Sequence, residues 1–246
     1  LALYPAVMYS SFVLVKQAGL FEGRFGALSG AVAVGLVHHV FYEVFDHYGP
    51  QYGWWLWNYP NFNGSLAAVP VSSMVSFAFI GPIALTLATR LLVTTDLYEE
   101  GVSLSRFSSR ILFGVRAVAA GLLTPVFFVL LTTNTWYELL AIELTTQRET
   151  FTAIALLGSA LTLTVLKFSR ITEFSMSGLL TFSKAYLSLF LAVFLVLWLY
   201  ALPDYLSAVD GVTSWGSRTG SLPYALGCIV LGIFFLLRTR SGEQRT

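Results

Sequence analysis

All three histidines of the chain, His38, His39 and His47, fall within ten residues of one another, with two acids, Glu43 and Asp46, between them. A helix turns ~100° per residue, so His39, Glu43 and Asp46 share a face about 60° wide, with His47 at its edge and His38 off it. Three chemistries fit this pattern. In the first, an acid in an apolar pocket holds a proton and delivers it to an alkene or epoxide, and the resulting carbocation cyclises or takes up water. Glu43, the deeper acid, is then the donor, and Asp46, His39 and His47 tune or relay. In the second, His39, Glu43 and His47 at successive i, i+4 steps share a metal ion, for which imidazole and carboxylate suit Zn²⁺ or Fe²⁺. One helix rarely completes such a site, and with no further histidine the other ligands would have to be carboxylates. In the third, the polar groups bond within a bundle, and the protein is a transporter or a subunit of a membrane complex.

The element carrying these residues belongs to a bilayer. Hydrophobic residues make up 56% of the chain and charged residues 11%, with a mean hydropathy of +0.73, against about 25% charged in soluble domains. A transmembrane helix needs ~20 mostly apolar residues. Seven segments qualify: 1–14, 26–46, 67–93, 111–133, 151–168, 178–200 and 222–238. The expected fold is all-α, a single transmembrane domain over 1–246. There is no repeat or signal-peptide pattern. The first segment begins without Met, which leaves room for a helix upstream. Ionisable groups inside a membrane helix are costly and by default functional, which gives the stripe its weight.

Orientation follows from the basic residues. Lys16, Arg24, Arg90, Arg106, Arg110, Arg116, Lys167, Arg170, Lys184, Arg238, Arg240 and Arg245 fall on one side of the seven-helix scheme, and only Arg148 and Arg218 on the other. The N-terminus is therefore expected outside and the C-terminus in the cytoplasm, in the plasma membrane. On this scheme Glu138, Glu143, Glu149, Asp204 and Asp210 join the stripe near the outer face. The acids Asp96, Glu99, Glu100 and Glu173 sit among inner bases. Cys228 is the single cysteine, which excludes an internal disulfide and a paired-cysteine metal site. A net charge of +1 without a basic patch gives no case for nucleic acid.

The connection after the second helix, Tyr48 to Gly64, holds seven aromatics and no Lys or Arg. It reads as an interfacial aromatic belt, or as a lid whose rings stabilise a cationic intermediate. Tyr42, Trp54, Trp55, Trp57, Ser73 and Phe77 are the substrate-binding candidates here, joined by Trp136 and Glu138 from the end of the fourth helix. Pro82 and Pro125 are expected to kink helices three and four. Lys184 is expected to snorkel.

Residues 38–85 resemble two groups of small polytopic enzymes. Tyr42 through Gly49, then Val69-Pro70 through Phe77 and Pro82, resembles the carotenoid-hydratase family. Tyr42-Glu43 followed by Pro50 resembles the seven-helix membrane terpene cyclases of meroterpenoid pathways. The hydratases' helix-internal proline and tryptophan and the cyclases' late-helix acid have no counterpart here. Membrane ceramidase-like zinc hydrolases share the helix count, but their histidine pair belongs in the last helix, which here has none. The resemblance implies an enzyme acting on an isoprenoid or similar apolar lipid, by hydration or cyclisation, with no cofactor. Transport or a place in a membrane complex is the alternative, and a metal-dependent lipid hydrolase the third reading. Self-association or a membrane partner is compatible with all three.

Overall fold

The computed structural model describes residues 3–57, 64–94, 107–169 and 178–239. Arg106, Arg170, Arg240 and Arg245, the acids Asp96, Glu99, Glu100 and Glu173, and loop residues 58–63 lie outside them. Regular structure among the described residues is almost wholly helical. In chain order it comprises α1 (Leu3–Gln17), α2 (Gly26–Asp46), a 3₁₀ turn (Gly49–Tyr52), a two-stranded hairpin of β1 (Ser65–Leu66) and β2 (Val69–Pro70), and α3 (Val71–Val75). A π-helical turn (Ser76–Ile80) joins α3 to α4 (Gly81–Thr89), and a second one (Arg90–Thr94) follows. Then come α5 (Phe107–Leu131), α6 (Thr133–Leu139), α7 (Thr146–Ser169), α8 (Gly178–Ser207) and α9 (Leu222–Arg238).

Among the described residues, five helical stretches are long and apolar enough to cross a membrane: 26–52, 71–93, 109–131, 146–168 and 178–207. The helices α1 and α9, with 15 and 17 residues, are shorter. Exposed apolar surface argues the same way. Val115, Val118 and Leu122 on α5 and Phe151 and Ile154 on α7 are all more than half exposed, a pattern compatible with a covering of lipid tails. The two ends of the burial scale are α2, where 72% of the spanning stretch is buried, and α5, where 6% is. Thus α2 is the central helix, packed against α1, α4, α7, α8 and α9. These five helices form its wall.

The third apolar segment was expected to be helical from residue 67. It instead begins as the hairpin, with Ser65 opposite Pro70 and Leu66 opposite Val69. Ala67 takes a left-handed φ of 55° in the turn, and Pro70, whose φ of −67° and extended ψ suit the residue before a helix, starts α3. The expected Pro82 disturbance is a wide turn. The Gly81 N–H bonds back to Ser76 O, a π-type step, which bypasses the carbonyl of Phe77. Pro82 has no N–H to offer Ala78 O four residues back. Both orphaned carbonyls find side chains on neighbouring helices: Tyr4 Oη donates to Phe77 O at 2.7 Å, and His38 Nδ1 donates to Ala78 O at 2.8 Å. A buried carbonyl left unpaired in lipid would cost several kcal/mol, so α1 and α2 are tied to α4 at this break.

The connections after α2, α6 and α8 gather at one end of the bundle. Ala68 N donates to Thr219 O, Gly64 N to Glu149 Oε2, and Trp215 Nε1 to Gln51 O. At the opposite end Lys184 donates to Thr239 O, so this cation caps the carbonyl end of α9.

Candidate functional site

The stripe on α2 is fully inside the protein: His38, His39, Glu43, Asp46 and His47 are each no more than 2% exposed. Glu43 sits between two histidines one turn away on either side. His39 Nδ1 is 3.6 Å from Glu43 Oε1, and His47 Nε2 is 3.4 Å from Glu43 Oε2. Asp46 lies close enough to Glu43 for the two carboxylates to feel each other's charge. Neither oxygen of Glu43 or Asp46 has a hydrogen-bond partner among the described residues. A buried polar group left in this state costs about 1–3 kcal/mol, more when charged, and such a cost collects at working sites.

Partners on other helices assign the imidazole protons. His39 Nδ1 faces Met74 O at 3.1 Å, and a carbonyl only accepts, so Nδ1 carries hydrogen. In neutral His39, Nε2 is then the acceptor for the Tyr224 hydroxyl, 2.7 Å away. His47 is the mirror case. Its Nδ1 accepts from the backbone N–H of Ser221 at 3.1 Å, so in the neutral ring Nε2–H points towards Glu43. The start of α9 builds this contact. Ser221 Oγ caps the helix by accepting from Tyr224 N, and Pro223 stands in the first turn, where its missing N–H is harmless. Gly220 permits the approach, since a Cβ there would collide with the carbonyl of His47. Tyr224 and Cys228, one turn apart on α9, both lie close enough to Glu43 to sense it.

Beside this cluster is a cavity of about 520 Å³ between α2, α7 and α9, roofed by the hairpin. Its wall is apolar, with Leu36, Val40, Met74, Leu157, Leu161 and Leu231 among its residues. Against that background the polar groups in the wall are few: His39, Tyr224, Ser65, Thr150 and the thiol of Cys228. Glu43, Asp46 and His47 are not in the wall. The chemistry facing the cavity is the Tyr224–His39 pair, with Glu43 behind it.

The histidine that the 100° rule puts off the stripe is indeed turned away. His38 faces Ala78 and stacks on Tyr42, with ring centroids 5.4 Å apart. None of the eight substrate-binding candidates lines the cavity. Tyr42 faces Tyr4 and His38. Trp54 and Trp55 pack on Phe45, on another face of α2, and Trp57 is half-buried beyond them. Ser73 is buried near the top of α3, and Phe77 is exposed against Phe128. Trp136 bonds to Leu130 O and is half exposed, and exposed Glu138 borders a separate 360 Å³ pocket.

As for a metal, no group of three or more His, Cys, Asp and Glu among the described residues is arranged to hold an ion. Both nitrogens of His39 face other groups, Met74 O and Tyr224, so its lone pair is not directed at Glu43. Tyr224 was not singled out from the sequence. Its signal was local: a capping Ser221, Pro223, then a tyrosine one turn into a helix that starts at the same end as the stripe. No protein-family model, curated protein or solved structure matches this chain.

Proposed function

We propose that the protein is an integral membrane enzyme acting by acid–base chemistry on an isoprenoid or similarly apolar lipid, through protonation followed by hydration or cyclisation. The observation that carries this reading is the Tyr224–His39 pair in the wall of an apolar 520 Å³ cavity, backed by a buried Glu43 between two histidines. The proton is held by Glu43 and its flanking imidazoles. When His39 is charged, it donates from both nitrogens: Nδ1 towards Met74 O and Glu43, and Nε2 to the Tyr224 oxygen. Tyr224 then releases its own proton to the substrate. Protonation of an alkene or epoxide leaves a carbocation, which water or a second double bond captures. The proton lost in that last step returns to the Tyr224–His39 pair, so the cycle is balanced without a cofactor. Asp46 and His47 set the charge around Glu43.

This reading includes seven membrane spans, counting α1 and α9, with the stripe end outside and the C-terminus in the cytoplasm. The twelve-to-two sorting of bases supports it.

The test is Glu43→Gln in purified protein, assayed with whatever lipid co-purifies and identified by mass spectrometry. The amide keeps size and hydrogen-bonding ability, so thermal stability should hold. Turnover should fall ~10²–10⁴-fold, as for loss of a general acid. A stable, fully active Glu43→Gln protein would refute the assignment.

A further inference from the structure

The reaction class leaves the shape of the substrate open, and the cavity narrows it. Along α7 the wall runs from Thr150 to Leu161, ~16 Å at 1.5 Å per residue. The cavity holds about 520 Å³ along that length. The slot is polar at one end only. His39, Tyr224, Ser65 and Thr150 stand at the hairpin end, and Leu36, Leu161 and Leu231 at the other.

Its side is thin. Ile154 and Gly158 of α7 line the cavity and also line a shallow groove on the outer surface of α7, shared with Ser159 and Thr162. Ile154 is 67% exposed, so it faces lipid. On α9 the wall carries Gly227. A Cβ added at Gly158 or at Gly227 meets no atom within 4 Å. Each of the two glycines leaves open space where a side chain would otherwise stand in the wall.

Resting on the acid–base reading above, which requires an unsaturated substrate, we infer that the gap at Gly158 and Gly227 is a lateral port. Through it a single linear isoprenoid chain enters from the bilayer and lies along α7, its reacting end at Tyr224 and His39.

The experiment uses the full chain in lipid nanodiscs and a diazirine-bearing analogue of geranylgeraniol. After irradiation, adducts should map to 150–161 and 223–231. Excess unlabelled geranylgeraniol should remove them, and cholesterol should not. Gly158→Phe should lower the yield roughly tenfold or more, since even a methylene-sized misfit in an apolar pocket has that effect. Gly227→Leu is the second variant, and a thermal melt shows that each is folded. Adducts confined to 8–17 and 85–93, where α1 and α4 border another cavity of about 550 Å³, would overturn the inference, as would equal competition by cholesterol. Glu43 is outside the wall, so Glu43→Gln should keep the adducts. Adducts in a Glu43→Gln protein that retains full turnover would uphold the slot and remove the acid-catalysis reading. Glu43-dependent turnover of a different lipid without these adducts would do the reverse.

Discussion

At the scale of single residues, the α2 cluster separates into groups that serve the cavity and groups that serve the bundle. Tyr224 is the test of the first kind. Tyr224→Phe keeps the ring in place and deletes the one hydroxyl bonded to His39 Nε2. If the hydroxyl carries the proton, turnover should drop ~10²–10⁴-fold, while the loss of one hydrogen bond should lower stability by only about 0.5–1.5 kcal/mol. The measurements are initial rate and thermal midpoint on the same preparation. A purely structural tyrosine would instead lower both in proportion. Asp46→Asn should cost less than Glu43→Gln, because Asp46 is outside the cavity wall and touches the chemistry only through the Glu43 charge. His38 is the test of the second kind. His38→Ala orphans the Ala78 carbonyl and should cost about 1–3 kcal/mol of stability, with turnover per folded molecule unchanged.

At the scale of elements, the His38 role exists because of a proline four residues beyond the carbonyl it serves. Pro82→Ala restores an N–H that can bond to Ala78 O, so the His38→Ala penalty should shrink in that background. A double-mutant cycle on thermal stability reads this coupling directly, and additive penalties would show that the two are independent. The loop before α9 makes a second prediction. Gly220→Ala would push the chain off the His47 carbonyl and move Ser221 N–H from His47 Nδ1. It should lower turnover more than it lowers stability.

The helices themselves were legible from residue types. The apolar segments 26–46 and 222–238 coincide with α2 and α9, because lipid-length apolar runs have no other way to satisfy their backbone. The stripe was legible too, since spacing along one helix is enough to bring His39, Glu43 and His47 together. What spacing on one helix cannot reveal is which side of that helix meets an empty space. The aromatic-rich connection after α2 drew attention by composition, yet Trp54 and Trp55 pack on Phe45. The cavity lies on the face turned to α7 and α9, where the long-range contact between His39 and Tyr224 spans 185 residues. The hairpin at 65–70 was hidden by the apolar character of Leu66, Ala67, Ala68 and Val69, which reads equally well as the first turn of a helix.

At the scale of the whole molecule, the polar cluster and its hairpin roof lie at one end of a bundle whose other end holds the capping Lys184. Charge distribution and fold agree on this asymmetry. The end gathered around Gly64, Gln51, Glu149 and Thr219 is the one with few bases, and the opposite end carries Lys16, Arg24, Arg90 and Arg238. Positive charge is retained on the cytoplasmic side of a membrane, so the site should face away from the cytoplasm. Reporter tags inserted in 95–110 and after residue 246 should be cytoplasmic, and one in 205–218 external. Three apolar helices, α5, α7 and α8, separate those two loops, so their opposite placement does not depend on whether α1 or α9 crosses. Because α9 is the 17-residue helix that carries Tyr224, its crossing decides more than the count. A C-terminal tag on the same side as 205–218 would place α9 along the interface rather than through the bilayer. That would take the membrane-embedded wall from the slot and overturn the seven-span arrangement.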